Sequence, residues 1–192
     1  VVTGKSVGKS TVTVTSKNGK TANIEIEVQE KEIKPTNVTI SETNKTIKVG
    51  ESVTLTEKIE PNDATLRTVT WTSSNSKVAS VANGKITGLS SGSTVIVVKT
   101  TNGLEAKCNV TVVQPVTKVI ISGENKIKVK GVTQYTASVE PANASDKSIT
   151  WSSSNSNVAI VDSSGKVTGI GAGSAVIKGT TKDGVYGEKT IV

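Results

Sequence analysis

The sequence contains no His, no Met and no Phe, and its 192 residues include one Cys and four Pro. Without His, the commonest general base at neutral pH and the commonest metal ligand is missing. A single Cys excludes an intrachain disulfide and a cysteine-based zinc site. Catalysis would rest on Ser, Lys, Asp and Glu alone, so composition disfavours an enzyme, and neither a cofactor nor a metal site is expected. Aromatic residues are 2% of the chain, namely Trp71, Trp151, Tyr135 and Tyr186, so a core must be built from Val, Ile, Leu and Ala. No apolar run approaches the roughly 20 residues of a membrane span, and no secretory leader pattern is present. Membrane insertion is not expected. With Met absent, Val1 reads as an internal residue of a longer polypeptide.

What is abundant is β-branched. Val (29) and Thr (28) lead the composition, and both suit a pleated, half-buried surface and lose side-chain freedom in helices. The fold class expected is all-β. The net charge of +7 is spread evenly, with +2 on residues 1–36, +2 on 37–113 and +3 on 114–192. Nucleic-acid binders concentrate Lys and Arg on one face, often beside aromatic platforms. Here there is one Arg and almost no aromatic side chain, so no nucleic-acid partner is expected. The densest basic cluster, Lys126-Ile127-Lys128-Val129-Lys130, alternates with period two and reads as a strand whose charged outer face protects an edge.

Internal repetition sets the organisation. Glu60-Pro61-Asn62-Asp63-Ala64 through Val69-Thr70-Trp71-Thr72-Ser73-Ser74-Asn75-Ser76-Lys77-Val78-Ala79 recurs 80 residues later. There it runs from Glu140-Pro141-Ala142-Asn143-Ala144 to Ile149-Thr150-Trp151-Ser152-Ser153-Ser154-Asn155-Ser156-Asn157-Val158-Ala159. Gly84-Lys85-Ile86-Thr87-Gly88 then matches Gly165-Lys166-Val167-Thr168-Gly169 at an offset of 81, and Val2-Thr3-Gly4 matches Ile86-Thr87-Gly88 at 84. The chain divides into the C-terminal part of one module (1–29), a second module (37–113) and a third (117–192). Asn18-Gly19, Asn102-Gly103 and Asp183-Gly184 sit between alternating runs and predict a two-residue hairpin turn near the end of each module.

Alignment of the copies separates inner from outer positions. A position that accepts Thr13, Val97 and Lys178 is outward, so Ile96 and Val98 form the core face. Cys108 takes the place of Ile24 and reads as a small buried hydrophobe rather than a reactive thiol. Seven or eight short strands per module around one Trp match an immunoglobulin-like sandwich. Trp71 and Trp151 are expected to dominate their cores. Tyr135 aligns with Leu55 and is expected in the core. Tyr186 aligns with Glu105, so it is the one aromatic nominated as a ligand contact.

The pattern Pro…Ala…(Val/Ile)-Thr-Trp-x-Ser-Ser-Asn-x-x-Val-Ala-x-Val…Gly-Lys-(Ile/Val)-Thr-Gly…Gly resembles the bacterial immunoglobulin-like domain group 2. Both longer modules carry all of it, and residues 1–29 carry its final part. The resemblance implies tandem β-sandwich modules of bacterial surface adhesins of the intimin and invasin type, of surface-layer proteins, or of phage virion proteins. It brings no shared catalytic residues.

Other motifs yield to plainer readings. Ser6-Val7-Gly8-Lys9, Ser74-Asn75-Ser76-Lys77 and Ser163-Ser164-Gly165-Lys166 match the Ser-x-x-Lys spacing of penicillin-binding enzymes. None lies in a helical pattern, and the companion motifs are missing. Gly169-Ile170-Gly171-Ala172-Gly173 resembles half a phosphate loop but precedes no helix, and it reads as a turn. Asp63, Asp146, Asp162 and Asp183 lie in loops without calcium-loop spacing. Asn37, Asn44, Asn109 and Asn143 begin Asn-x-Ser/Thr sequons.

The joints, Glu30–Pro35 and Val110–Thr117, each contain Pro and lack a Gly/Ser linker, which implies a semi-rigid rod. The Val/Ile face of residues 10–28 is expected to be completed by upstream sequence of the same chain, with donation by a neighbouring subunit as the alternative. The expected role is a non-enzymatic structural or adhesive spacer at the bacterial cell surface, supporting a binding activity towards a cell-surface glycan or protein. The alternative is a virion decoration that aids attachment to cell-surface glycans. Neighbouring modules, and possible further copies of the chain, are the remaining partners expected.

Overall fold

Alternating β-branched runs become extended backbone almost wherever the sequence shows them. A computed structural model describes residues 1–192 as nineteen strands with no helix. The first partial module is one hairpin, β1 (Gly8–Thr15) with β2 (Thr21–Val28). The second module comprises β3 (Asn37–Ile40), β4 (Asn44–Lys48), β5 (Ser52–Thr54), β6 (Glu57–Glu60), β7 (Val69–Ser73), β8 (Ala79–Ala82), β9 (Lys85–Gly88), β10 (Gly92–Thr100) and β11 (Glu105–Val113). One sheet has the order β4-β11-β10-β7, with β4 parallel to β11, and it faces the paired strands β3-β6 and β5-β9-β8. The third module repeats this plan with β12 (Lys118–Ser122), β13 (Val132–Gln134), β14 (Thr136–Glu140), β15 (Ile149–Ser153), β16 (Ala159–Val161), β17 (Lys166–Gly169), β18 (Ala175–Thr181) and β19 (Tyr186–Ile191).

Period-two patterning places one face of each strand in the core. On β10 and β11, Thr94, Ile96, Val98, Cys108, Val110 and Val112 are all buried, and they meet Ile47, Leu55 and Ile86 from the rest of the module. Val95, Val97 and Lys99 point the other way. In the third module Ala175, Ile177 and Ile191 take the equivalent places, and Tyr135 fills the position of Leu55. Its hydroxyl donates to the Glu124 carbonyl, which satisfies the one polar atom of an otherwise buried ring. Where the second module has Val98 and Ala106, the third has Gly179 and Gly187. Ile121 occupies the vacated space, and a Cβ built at Gly179 would lie 3.0 Å from its Cδ1.

Three expectations need correction. Trp71 and Trp151 are half-buried and pack against the aliphatic clusters rather than forming their centres. The indole lies on the sheet rim beside the β8–β9 or β16–β17 turn, where Gly84 and Gly165 make room for it. The turns at Asn18-Gly19, Asn102-Gly103 and Asp183-Gly184 are three-residue loops, closed by Ser16 with Lys20, Thr100 with Leu104, and Thr181 with Val185. Only the Gly carries positive φ, at 85°, 93° and 84°, as in a type I turn with a G1 bulge. The two-residue turn is instead Asn83-Gly84, with φ of 48° and 77°. In the third module that turn lengthens by one residue to Ser163–Gly165, closed by Asp162 with Lys166, which accounts for the extra residue between the repeated blocks.

Third, Lys126–Lys130 is not a strand. Its counterpart β4 pairs with five residues of β11, Asn109–Val113. Here only two backbone bonds join the segment to the last residue after β19, Val192 N–H to Asn125 O and Ile127 N–H to Val192 O, both at 2.9 Å. Lys130 also stands at φ +64° where the second module has Gly50, a conformation that costs an L-residue about 1 kcal/mol. The two linker prolines are not equivalent. Thr36 and Thr117 both donate to the carbonyl of the Glu before the module's first Pro, so Pro35 corresponds to Val116.

The β1–β2 hairpin reproduces the β10–β11 register residue for residue, with Gly8 opposite Val28 as Gly92 is opposite Val112. Its apolar face is covered only in part, with Val12, Ile26 and Val28 half-buried beside residues 2–7. Val14 and Ile24 are 65% and 60% exposed, whereas their counterparts Val98 and Cys108 are at 0%.

Truncating Trp71 or Trp151 to Ala is expected to destabilise the module concerned by about 3 kcal/mol, read as a lower denaturation midpoint with the other module's transition unmoved. Gly84→Ala is expected to destabilise the second module as well, because the added Cβ would sit 2.3 Å from the Leu55 carbonyl oxygen. Placing a copy of residues 37–85 directly ahead of Val2 is expected to bury Val14 and Ile24 and to slow amide exchange throughout β1 and β2.

Candidate functional site

No nucleophile–base pair and no convergent ligand set emerges from the fold. No three His, Cys, Asp or Glu side chains gather at one point, and no helix is long and apolar enough to cross a membrane. The residues singled out by motif are occupied with holding the chain in place. Ser74 Oγ accepts from Val95 N–H at 2.9 Å and bonds Thr94 Oγ1 at 3.1 Å. Ser154 Oγ does the same for Val176 N–H at 2.8 Å. Asn75 and Asn155 close the next turn, each accepting on Oδ1 from the backbone two residues on at 3.1 Å. The segment after each Trp is therefore similar in both modules because it is a structural corner that ties one strand to the next.

The loop carboxylates behave likewise. Asp162 Oδ1 accepts from Ser164 Oγ, Ser164 N–H and Lys166 N–H at 2.6, 2.8 and 3.0 Å. The Ser164 bond and the backbone donors hold its carboxyl below the usual Asp range. Asp146 accepts from Ser148 N–H at 2.9 Å, which lowers its pKa too. Asp146 and Asp183 border a cleft between the second and third modules together with Thr46, Gln114 and Lys182, and Asp63 lies in a loop of the second module, away from that cleft. Gly169–Gly173 leads from β17 towards β18 with no helix following. Cys108 is fully buried, and burial pushes its thiol pKa up, so it is protected from solution chemistry. Two of the sequon residues, Asn44 and Asn109, bond each other across the β4–β11 pair at 3.1 Å.

Tyr186 lies on the outer face of β15-β18-β19, 53% exposed and opposite Thr180. Lys178 Nζ sits 3.7 Å from its ring centroid, a cation–π contact that holds the ring against the sheet. The face continues through Ser152, Lys178 and Glu188, which are cross-strand neighbours. The second module carries the Lys99–Glu105 ion pair at 3.0 Å where the third has Thr180 and Tyr186. Sequence alignment could locate Tyr186, but not the lysine over its ring, because that contact runs diagonally between strands.

Asp162→Ala is expected to lower the melting temperature of the third module at neutral pH. Because the folded pKa is depressed, this stabilisation is complete above the ordinary value of 3.8. It disappears as the pH falls through the folded pKa. Thermal melts of parent and variant should therefore converge in acid.

Comparison with known proteins places these features in a family. The pattern of the bacterial Ig-like domain (group 2) matches residues 35–110 and 115–192. An Ig-like virion protein of Serratia phage KSP90 is 35% identical over 170 residues, covering 84% of this chain and 66% of that protein. An uncharacterized protein of Clostridium acetobutylicum is 31% identical over 153 residues, covering 78% of this chain but 16% of its own length. The chain thus spans 16% and 66% of these two relatives. Among solved structures, a C-terminal 282-residue fragment of intimin, in complex with the intimin-binding domain of the translocated intimin receptor, aligns over 83% of this chain and 64% of the fragment, at 20% identity and a TM-score of 0.46. With the repeated Trp and Gly blocks and two matching family segments, the chain belongs to the bacterial Ig-like domain (group 2) family.

Proposed function

We propose that this chain is a non-enzymatic, extracellular spacer, a semi-rigid rod of Ig-like modules that supports a binding activity at a bacterial surface. One observation carries the reading. The loop side chains that differ least between modules, Ser74 with Ser154 and Asn75 with Asn155, are exposed yet engaged in internal hydrogen bonds that fix the corner. A second reading, a virion decoration that aids attachment to cell-surface glycans, draws support from the similarity to the phage Ig-like virion protein across 84% of the chain. Where the chain itself makes the attachment, Tyr186 is the proposed contact residue and the partner is a cell-surface glycan or protein.

Two measurements test this. Single-molecule stretching is expected to give two unfolding events of nearly equal contour length, one for each of the second and third modules. One diffuse extension without discrete events would contradict a mechanical spacer. Binding to immobilised glycans and to intact bacterial cells is expected to be weak and unchanged by Tyr186→Ala. Saturable binding that Tyr186→Ala abolishes would replace the spacer reading with direct attachment.

A further inference from the structure

The two joints differ in how much backbone is left free. Each longer module is closed onto its leading segment by a reciprocal backbone clip. Ile33 N–H donates to Thr65 Oγ1 at 3.0 Å, and Thr65 N–H donates to the Ile33 carbonyl at 2.9 Å. In the third module Gln114 N–H donates to Ser145 Oγ and Ser145 N–H to the Gln114 carbonyl, both at 2.8 Å. Behind each clip a buried residue follows, Pro35 or Val116. In the second module Asn102 Nδ2 also donates to the Pro35 carbonyl at 2.7 Å. Both prolines thus lie on the module side of the clip and stiffen a docked segment rather than the joint.

The slack in a joint is then the stretch between the last paired residue of one module and the clip of the next. At the second joint that stretch is empty. Val113 belongs to β11, its carbonyl accepts from Val49 N–H at 2.9 Å, and the next residue is the clipped Gln114. Val113, Gln114 and Pro115 are half-buried. At the first joint β2 ends at Val28 and the clip begins at Ile33. Between them Gln29, Glu30, Lys31 and Glu32 are all exposed and make no backbone hydrogen bond. Their one ion pair, Lys34–Glu32 at 3.5 Å, has both side chains more than half exposed, and such pairs restrain little. Every unclipped residue contributes two soft dihedrals, and three charges in four residues keep the segment hydrated.

We infer that the chain carries one hinge and one rigid joint. Gln29–Glu32 is a swivel, and the Val113–Gln114 junction couples residues 37–113 and 117–192 into a single body. The pair of longer modules points as a unit, and its direction is set by the four-residue segment ahead of it.

Spin labels and double electron–electron resonance on the full chain test this. Labels at Lys107→Cys and Glu188→Cys report the second joint, and labels at Thr13→Cys and Lys107→Cys report the first. Cys108, being buried, stays unlabelled. A narrow distance distribution is expected across the second joint and a broad one across the first. Inserting a second Gln-Glu-Lys-Glu between Val113 and Gln114, or making Ser145→Ala, should broaden the narrow distribution. Ser145→Ala serves where the insertion prevents folding, which circular dichroism melting reveals. Deleting Gln29–Glu32 should narrow the broad one. A parent second-joint distribution as wide as that of the insertion variant would overturn the rigid joint. A deletion variant as broad as the parent would overturn the hinge, since the breadth would then come from fraying of the β1–β2 hairpin.

Discussion

Everything in this structure depends on covering one face of a β-hairpin. Strands β10 and β11 turn Ile96, Val98, Cys108, Val110 and Val112 towards one side, and burying that stripe is the main favourable term available to a chain this poor in aromatics. The chain holds its own control. β1 and β2 repeat the same register and the same alternation, and with no strand of residues 1–192 facing them Val14 and Ile24 stand in solvent. The hairpin fold is thus local, while its stability comes from the opposing strands.

Indoles are secondary to this. Trp71 and Trp151 close the rim, where Gly84 and Gly165 leave room for the ring, and the aliphatic stripe fills the centre. The third module shows how much variation the arrangement tolerates. Tyr135 replaces Leu55, its hydroxyl is satisfied by a backbone carbonyl, and Ile121 takes up the space above Gly179 and Gly187. Polar side chains at the corners, Ser74, Asn75 and Asp162 among them, serve the same end by fixing where each strand begins.

Much of this was legible in the sequence. Comparison of the copies gave the inward face of β10 and β11, the burial of Cys108 and Tyr135, and the exposure of Tyr186, because period-two alternation leaves little choice of side. The repeated Trp and Gly blocks gave the family. What stayed hidden depended on non-local partners. The Asn-Gly dipeptides mark hairpins, but the number of residues in each loop is set by where the strands stop pairing. The alternation at Lys126–Lys130 looks like a strand, yet within residues 1–192 it is joined to the β19 edge only through Val192. That Pro35 corresponds to Val116, and with it the unequal slack of the two joints, shows only in the backbone bonds of Thr36 and Thr117. At the candidate contact, Tyr186 was visible and the lysine over its ring was not.

The central claim, that stability resides in facing sheets rather than in the hairpins themselves, is tested most directly by native-state amide hydrogen exchange across the whole chain. The account predicts that Ile96, Cys108, Val110, Ile177 and Ile191 exchange only through global opening of their modules, while Val12, Ile24 and Ile26 exchange nearly as fast as unstructured peptide. Comparable protection in all three hairpins would contradict it.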